Sequence, residues 1–321
     1  MQHQFSSSSL TATAVVLQAP GQLELRELAL DQPSAADVVV DMEWSGISTG
    51  TERLLWSGRM PSFPGMGYPL VPGYEGVGRV SASGDHAGLA VGQRVFVPGA
   101  RCFGEVRGLF GSAASRVVVP AARVLPVAEA LGQRAILLAL AATALHAINI
   151  GRETPQLIVG HGVLGRLIAR LCVLRSKQPV VVWETQAARR GGALGYEVIE
   201  PGADRRTDYA CICDVSGDAG ALDSLIGRIA PGGEIVLAGF YATPLAFDFP
   251  QAFRREARLS IAAQWQPEDL SSVQRLCESG ELSLDGLITH AAPASDAASA
   301  YRIAFSDPAC LKMHLDWRKR S

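Results

Sequence analysis

A glycine-rich segment in the middle of the chain constrains the fold more than any other feature. It reads, in order, Gly160, His161, Gly162, Val163, Leu164 and Gly165. The apolar run Leu157–Val159 precedes it, and residues with helical apolar spacing follow it. Between a strand and a helix, a G-x-G-x-x-G sequence permits a tight turn and a close approach of the backbone to a pyrophosphate, which the helix N-terminus binds. The segment therefore predicts a dinucleotide-binding turn.

An acidic residue after the next strand bears on the choice of nucleotide. Glu184 follows the apolar run 180–183. A carboxylate at this place accepts hydrogen bonds from a ribose 2′-hydroxyl and repels a 2′-phosphate, which favours NAD over NADP. Arg189 and Arg190 can neutralise a phosphate if they fold back, so NADP stays open here. We predict NAD as the cofactor. Its predicted binding residues here are Gly160, Gly162, Val163, Leu164, Gly165, Glu184 and Arg189.

The apolar segments divide the chain into two parts. Between residues 11 and 126, short Val-rich segments separated by Gly and Pro turns predict an irregular β-barrel. From residue 129, helical patterns alternate with strands, which predicts an α/β fold with a doubly wound parallel Rossmann sheet. The predicted domains are a dinucleotide-binding domain at 129–282 and a second domain made of 1–128 and 283–321.

Two loops at strand ends are expected to complete the nucleotide site. Ser216 follows the strand 209–214, and Gly239 follows the strand 233–238. Ligands of open α/β sheets lie beyond the carboxyl ends of the strands, so both loops should face the nicotinamide end of the site. The same series of elements predicts a helix over 187–194.

The composition excludes several classes of protein. With 48% hydrophobic and 19% charged residues, the chain is neither disordered nor fibrous. A net charge of −2 and a pI near 6.3 argue against nucleic-acid binding. The apolar stretch 135–150 is shorter than the ~20 residues that a membrane-spanning helix needs, and residues 1–9 show no secretory pattern. The scattered cysteines are expected to be reduced thiols, which fits a cytoplasmic location.

Two further blocks resemble signatures of the medium-chain dehydrogenase/reductase superfamily, and the resemblance spans nearly the whole chain. Residues 71–78 look like its Gly-His-Glu signature, with Tyr74 in place of the histidine. Residues 45–52 look like its Gly-x-Cys-x-Thr-Asp segment with one residue added, Ser48 in place of the cysteine and Glu52 in place of the aspartate. The resemblance implies a GroES-like barrel domain beside the Rossmann domain.

The resemblance also bears on metal binding. The superfamily's third metal position, a cysteine, falls on Ala139, and Cys102 stands alone where the superfamily has a four-cysteine zinc lobe. Zinc requires three sulfur or imidazole ligands and an open position, which serine, tyrosine and alanine cannot supply. We therefore predict that there is no catalytic zinc.

Longer strings are similar to a branch of the superfamily that lacks zinc, the bacteriochlorophyllide a dehydrogenases. These strings are residues 44–52, 56–58, 68–76, 183–184 and 307–313. The resemblance implies NAD-dependent oxidation of the 3-(1-hydroxyethyl) group of a bacteriochlorophyllide to 3-acetyl, in bacteriochlorophyll biosynthesis. The segment 56–68, with Trp56, Phe63 and Tyr68, is expected to line an apolar pocket for this tetrapyrrole.

In the absence of a metal, side chains must bind the substrate hydroxyl and carry away its proton. Thr51 occupies the superfamily's relay position. Tyr74 is the candidate donor or acceptor to the carbinol oxygen. Glu75 or Glu52 would orient these hydroxyls or accept a proton through them. These four residues are the predicted catalytic group.

Three other polar residues, Thr143, His146 and His161, are not predicted to take part in the proton transfer. Thr143 falls where the superfamily contacts the nicotinamide amide, and its alternative role is that of a helix-interior threonine bonded to its own backbone. His146 and His161 are interpreted as packing or solvent-facing residues rather than bases.

Two alternative functions stay open. One is a zinc-independent quinone or enoyl reductase that uses NADPH, against which Glu184 speaks. The other is a non-catalytic dinucleotide-binding scaffold or redox sensor. Apolar edge strands in the nucleotide domain are compatible with a homodimer, and a peripheral association with the photosynthetic membrane also stays open.

Overall fold

The structure, a computed structural model, describes residues 9–176 and 178–318. The chain forms two compact units. The first comprises the described residues up to Ala139 and from Ile288 onward, and the second comprises Leu140–Leu287. Both boundaries fall later than the expected positions 128 and 282.

The first boundary is shifted because Glu129 is bound within the first unit. Its carboxylate lies 2.8 Å from an Arg79 nitrogen and 2.7 Å from an Arg94 nitrogen, and both arginines belong to barrel strands. The 3₁₀ segment Glu129–Leu137 that follows is interrupted at Gly132, where φ is 51° and ψ is −134°. Residues 129–139 therefore stay with the barrel.

The first unit contains two sheets packed around an aliphatic core. Its strands up to residue 126 are β1 (Thr11–Ala19), β2 (Gln22–Ala29), β3 (Asp37–Ile47), β4 (Leu70–Val71), β5 (Gly76–Ser83), β6 (Arg94–Val97), β7 (Arg107–Gly108), β8 (Arg116–Pro120) and β9 (Leu125–Pro126). The helix α1 (Thr51–Trp56) follows β3, and a 3₁₀ turn at Ala121–Arg123 precedes β9. One sheet has the order β2-β1-β4-β7. Many of the buried core residues are valines, whose branched side chains pack well on pleated surfaces.

The second unit is a parallel sheet flanked by helices. Its elements are α2 (Leu138–Ile150), β10 (Leu157–Val159), α3 (Val163–Arg175), β11 (Val181–Trp183), β12 (Glu197–Ile199), β13 (Tyr209–Asp214), α4 (Leu222–Ile226), β14 (Ile229–Leu237), α5 (Phe249–Arg255), β15 (Arg258–Ile261) and α6 (Pro267–Glu278), with 3₁₀ turns at Ala187–Arg189, Pro201–Ala203 and Ala219–Ala221. The strand order is β12-β11-β10-β13-β14-β15, and every pair is parallel. The predicted doubly wound sheet is confirmed.

The C-terminal segment returns to the first unit. It forms β16 (His290–Pro293), a 3₁₀ turn at Ala294–Asp296, α7 (Ala297–Ser306) and β17 (Met313–Asp316). Because β17 pairs antiparallel with β3, the second sheet has the order β16-β17-β3-β5-β6-β9, with β8 also paired to β3. This pairing brings residues from the end of the chain to β3 and α1.

Two helical segments differ from simple expectation. The helix predicted over 187–194 is wrong, since only Ala187–Arg189 forms a 3₁₀ turn and the glycine pair at 191–192, with Gly192 at φ 81°, ends it. The stretch Glu129–Ile150 is long and apolar enough to cross a membrane by length and composition alone. Most of it is buried in the protein, so its apolar side chains serve the core.

Candidate active site

The glycine-rich turn has the geometry that its sequence predicts. Gly160 follows β10 with φ at 102°, and Gly162 immediately precedes α3. A Cβ on Gly165 would lie 1.9 Å from the Gly160 carbonyl oxygen. Only glycine at position 165 therefore allows this close packing of α3 against the end of β10. Val163 and Leu164 form the first turn of α3, whose N-terminus faces this loop. The backbone N–H groups there are available to a phosphate.

Glu184 lies at the same edge of the sheet and contacts the turn. It is 7% exposed, and its two carboxylate oxygens accept hydrogen bonds from the backbone N–H groups of His161 (3.1 Å) and Gln186 (2.8 Å). Each oxygen keeps a further lone pair for a ribose hydroxyl. Arg190 Nε donates instead to the Glu184 carbonyl at 2.9 Å, and its guanidinium pairs with Glu200.

The two predicted loops also reach the turn. A Cβ on Gly160 would lie 3.3 Å from the Ser216 backbone, and one on Gly239 would lie 3.1 Å from the Gly217 nitrogen. Asp214 joins the loops, because its carboxylate accepts from the Ser216 N–H and the Tyr241 hydroxyl. The structure therefore brings together the glycine turn, Glu184, Ser216 and Gly239.

The two remaining predicted nucleotide residues lie in other surroundings. The Arg189 backbone carbonyl is bound to the turn through His161 and Arg166, while its side chain is half-buried. Thr143 is half-buried on α2. Their contacts with a nucleotide stay predictions.

In the first unit, three side-chain hydroxyls form one cluster, which we call the hydroxyl cluster: Ser48, Thr51 and Tyr74. Ser48 follows β3 and Thr51 begins α1, while Tyr74 lies between β4 and β5. The Ser48 and Tyr74 oxygens are 2.8 Å apart. The Thr51 side chain lies beside Tyr74, where it lowers the pKa of the phenol. Burial, and the nearby Glu75 carboxylate, raise the pKa of the Tyr74 phenol. Tyr74 is therefore a neutral hydrogen-bond donor, not a phenolate.

Glu52 supports this cluster from inside the protein. Its carboxylate accepts from the Ser48 N–H at 3.1 Å and from the Tyr301 hydroxyl at 2.6 Å. Glu52 is fully buried, and burial raises its pKa to about 7, although the bond from Tyr301 opposes the shift. These hydrogen bonds hold the turn between β3 and α1 and do not join Glu52 to the Tyr74 hydroxyl.

Glu75 is half of a buried ion pair. Its oxygens accept from the Lys312 ammonium at 2.7 and 2.9 Å, and that ammonium also donates to the Ile47 carbonyl. Burial raises the pKa of Glu75, and the Lys312 charge opposes the rise. A Cβ on Gly46 would lie 2.2 Å from a Glu75 oxygen, so the glycine in the 45–52 block makes room for the carboxylate.

An apolar surface adjoins the hydroxyl cluster. We use this name for the half-exposed side chains of Trp56, Phe63, Met66, Tyr68 and Phe110. They pack on a buried core that includes Leu54, Leu55 and Leu109. Phe110 meets Tyr74 edge to face, with ring centroids 5.2 Å apart. Large apolar side chains beside a few polar groups are typical of a ligand pocket.

The residues at the superfamily's metal positions do not fit zinc. Ser48 and Tyr74 hydrogen-bond each other, Glu75 is paired with Lys312, and Ala139 has no donor atom. Among residues 9–176 and 178–318, no group of three or more His, Cys, Asp and Glu side chains could hold a metal ion. Neutral hydroxyls are poor zinc ligands, so the residues at these positions do not fit a zinc ion.

Comparison with known proteins identifies the family of this chain. Residues 34–129 match the sequence model of the Alcohol dehydrogenase GroES-like domain. The chain is 56% identical to the 2-desacetyl-2-hydroxyethyl bacteriochlorophyllide A dehydrogenase of Cereibacter sphaeroides, over 96% of this chain and 99% of that one. The chain belongs to this bacteriochlorophyllide dehydrogenase family. The family's protein from Rhodobacter capsulatus is 55% identical over 95% and 98% of the two chains.

Solved structures similar to this chain share its fold. L-idonate 5-dehydrogenase from Escherichia coli has a TM-score of 0.85 at 17% identity and covers 96% of this chain and 99% of its own. An alcohol dehydrogenase from Escherichia coli CFT073, complexed with NADH, has a TM-score of 0.81 at 22% identity, over 96% and 100%. The predicted combination of a GroES-like barrel and a Rossmann sheet is thereby confirmed.

Sequence reasoning missed three members of the site. Ser48 was recognised only as a replaced cysteine, and Tyr301 and Lys312 were not proposed at all. A signal for Lys312 existed, because the lysines of this arginine-rich chain are few: Lys177, Lys312 and Lys319. A lysine beside an apolar strand is a candidate member of a buried ion pair, because lysine is almost never fully buried unless it is paired.

Proposed function

We propose that this chain oxidises the hydroxyethyl group of a bacteriochlorophyllide to an acetyl group, with NAD as the acceptor and without a metal. The hydroxyl cluster beside the apolar surface is the observation that carries this proposal. The name of the two close relatives supports the substrate class. The reaction converts R–CH(OH)–CH₃ and NAD⁺ into R–CO–CH₃, NADH and one proton.

The hydroxyl cluster supplies the proton path. Bound NAD would accept the hydride from the carbinol carbon. The carbinol hydroxyl donates to Tyr74, whose own proton passes to Thr51, so that each hydroxyl takes one proton and releases another without ionising the phenol. Thr51 is half-buried, whereas Ser48 is 4% exposed, so the path to water runs through Thr51 and Ser48 orients Tyr74. Positioned acid–base groups of this kind contribute about 10²–10⁴-fold to a rate.

The two predicted acids receive supporting roles in this proposal. Glu75 is committed to Lys312, and Glu52 holds the Ser48 backbone and Tyr301. Their hydrogen bonds go to these groups rather than to Tyr74, so we assign both to positioning the hydroxyl cluster. A carbinol conjugated to a macrocycle is a comparatively willing hydride donor, which makes catalysis without a metal chemically tolerable.

Glu184 supports NAD over NADP. Its buried carboxylate lies beside the glycine turn, where a 2′-phosphate would meet a negative charge. Arg190, which could neutralise that phosphate, is turned to the Glu184 carbonyl and to Glu200.

Substituting Glu184 tests this preference. Glu184→Gln should raise the Kd for NAD about 10-fold or more, because a hydrogen bond to a charged acceptor is worth about 1.5–3 kcal/mol. It should also lower the ratio of the Kd for NADP to the Kd for NAD. Glu197→Gln, at an exposed carboxylate on β12, is the matched control and should change neither value. Fluorescence titration with both nucleotides gives the constants. Tighter binding of NADP than NAD by the wild-type chain would contradict the assignment.

The activity itself is tested with the purified full chain, NAD and a 3-(1-hydroxyethyl) bacteriochlorin. We expect a red-shifted acetyl product together with an equal amount of NADH, at the same rate before and after dialysis against a chelator. Loss of activity on dialysis that returns with zinc would contradict the metal-free mechanism. Turnover of a quinone with NADPH, or nucleotide binding without turnover, would favour the alternative reductase or the non-catalytic protein.

A further inference from the structure

His161 lies inside the glycine-rich turn, and its side chain is fully buried. Its ring contacts Tyr196 edge to face, with centroids 5.5 Å apart. Nδ1 lies 2.6 Å from the Arg189 carbonyl oxygen, and Nε2 lies 2.8 Å from the Tyr196 hydroxyl. Because a carbonyl only accepts, Nδ1 carries the proton and Nε2 accepts from Tyr196. Burial lowers the pKa of this imidazole to about 4, so it remains neutral near pH 7.

Arg166, in the first turns of α3, binds the same segment. Its Nε donates to the His161 carbonyl at 3.0 Å, and its two terminal nitrogens donate to the carbonyls of Arg189 (2.9 Å) and Gly192 (3.3 Å). The Arg189 carbonyl therefore accepts from both His161 and Arg166. Two side chains of the nucleotide turn converge on one point of the segment after Glu184.

The segment 186–196 needs such a restraint. It contains the glycines 191, 192 and 195, and apart from the turn Ala187–Arg189 it has no helix or strand. Glycine allows the most backbone freedom, so this stretch is not ordered by its own sequence. The same His161 also donates its backbone N–H to a Glu184 carboxylate oxygen at 3.1 Å. One residue thus holds Glu184, Arg189 and Tyr196.

We propose that His161 is a positioning residue for the adenosine half of the nucleotide. Its side chain holds the segment 186–196, which follows Glu184, in the arrangement that receives the ribose. This inference rests on the proposed nucleotide-binding function. It revises the interpretation of His161 as a packing residue. Preorganisation of a binding segment strengthens binding because less freedom is lost when the ligand arrives.

The test compares nucleotide binding across variants of the full chain. His161→Ala should raise the Kd for NAD and for ADP-ribose by the same factor, about tenfold or more for two lost hydrogen bonds, and leave kcat at saturating NAD unchanged. His161→Asn, whose amide can replace the Nδ1 donor, should recover part of the affinity. Tyr196→Phe, which removes one hydroxyl, should have a smaller effect. His146→Ala, at another half-buried imidazole of the same unit, is the control and should leave Kd unchanged.

Hydrogen exchange separates this inference from the proposed function. Without any nucleotide, His161→Ala should speed amide exchange in residues 186–196 and leave exchange in the strands β13 and β14 unchanged. If the wild-type chain bound no nucleotide, the proposed function would be wrong. The exchange experiment would still show whether His161 restrains the segment 186–196. Unchanged exchange in this segment of His161→Ala, or a Kd for NAD within twofold of wild type in His161→Ala, would overturn the positioning role.

Discussion

Replacing Lys312 with methionine is expected to lower the free energy of unfolding by about 3–5 kcal/mol, the cost of leaving one member of a buried ion pair uncompensated. Lys312 and Glu75 are 2% and 0% exposed, so water cannot replace the lost ammonium. Urea denaturation followed by circular dichroism measures the change. The loss of stability should be smallest in acid. Without Lys312, nothing opposes the effect of burial, which raises the pKa of Glu75. A carboxyl group whose pKa is raised by folding makes the free energy of unfolding fall as the pH increases.

Two further variants test whether the loss of stability comes from the unpaired buried charge of Glu75. Combining Lys312→Met with Glu75→Gln should recover part of the stability, because no charge then remains buried. Arg318→Met removes a half-exposed pair with Asp316 and should cost at most about 1 kcal/mol. A Lys312→Met protein as stable as wild type across the pH range would show that the pair does not hold the first unit together.

Replacing Tyr74 with phenylalanine is expected to lower kcat by about 10²-fold or more, because the hydroxyl that takes the carbinol proton is lost. The edge-to-face contact with Phe110 remains, so stability should change little. Ser48→Ala should lower kcat less, and the double variant should be no slower than Tyr74→Phe alone if Ser48 acts only through Tyr74. Steady-state kinetics with the bacteriochlorin, together with the Kd for NAD, separate these effects.

The control for this series is Tyr209→Phe, at a buried phenol of the second unit that donates to Asp204. It should affect stability rather than kcat. Near-wild-type kcat in both Tyr74→Phe and Thr51→Ala would rule out the hydroxyl relay and leave Tyr74 as a packing residue.

The arrangement of the glycine-rich turn and Glu184 could be anticipated because these residues are near neighbours along the chain. Gly160, Gly165 and Glu184 belong to one strand–turn–helix–strand unit, whose local pattern dictates that they meet. The helix predicted over 187–194 failed for a local reason as well, since two adjacent glycines end the turn there. What the pattern could not reveal is that the residue between two of the motif's glycines would be buried and bound to that segment.

The amino-acid sequence by itself determined the two folds, the nucleotide turn and the replacement of the expected metal ligands by Ser48, Tyr74 and Ala139. Tertiary structure alone decided which groups support the hydroxyls. Tyr301 stands 249 positions from Glu52, and Lys312 stands 237 positions from Glu75. These pairs form only because β17 joins β3, and such long-range pairing depends on burial of the whole sheet rather than on any local pattern of residues.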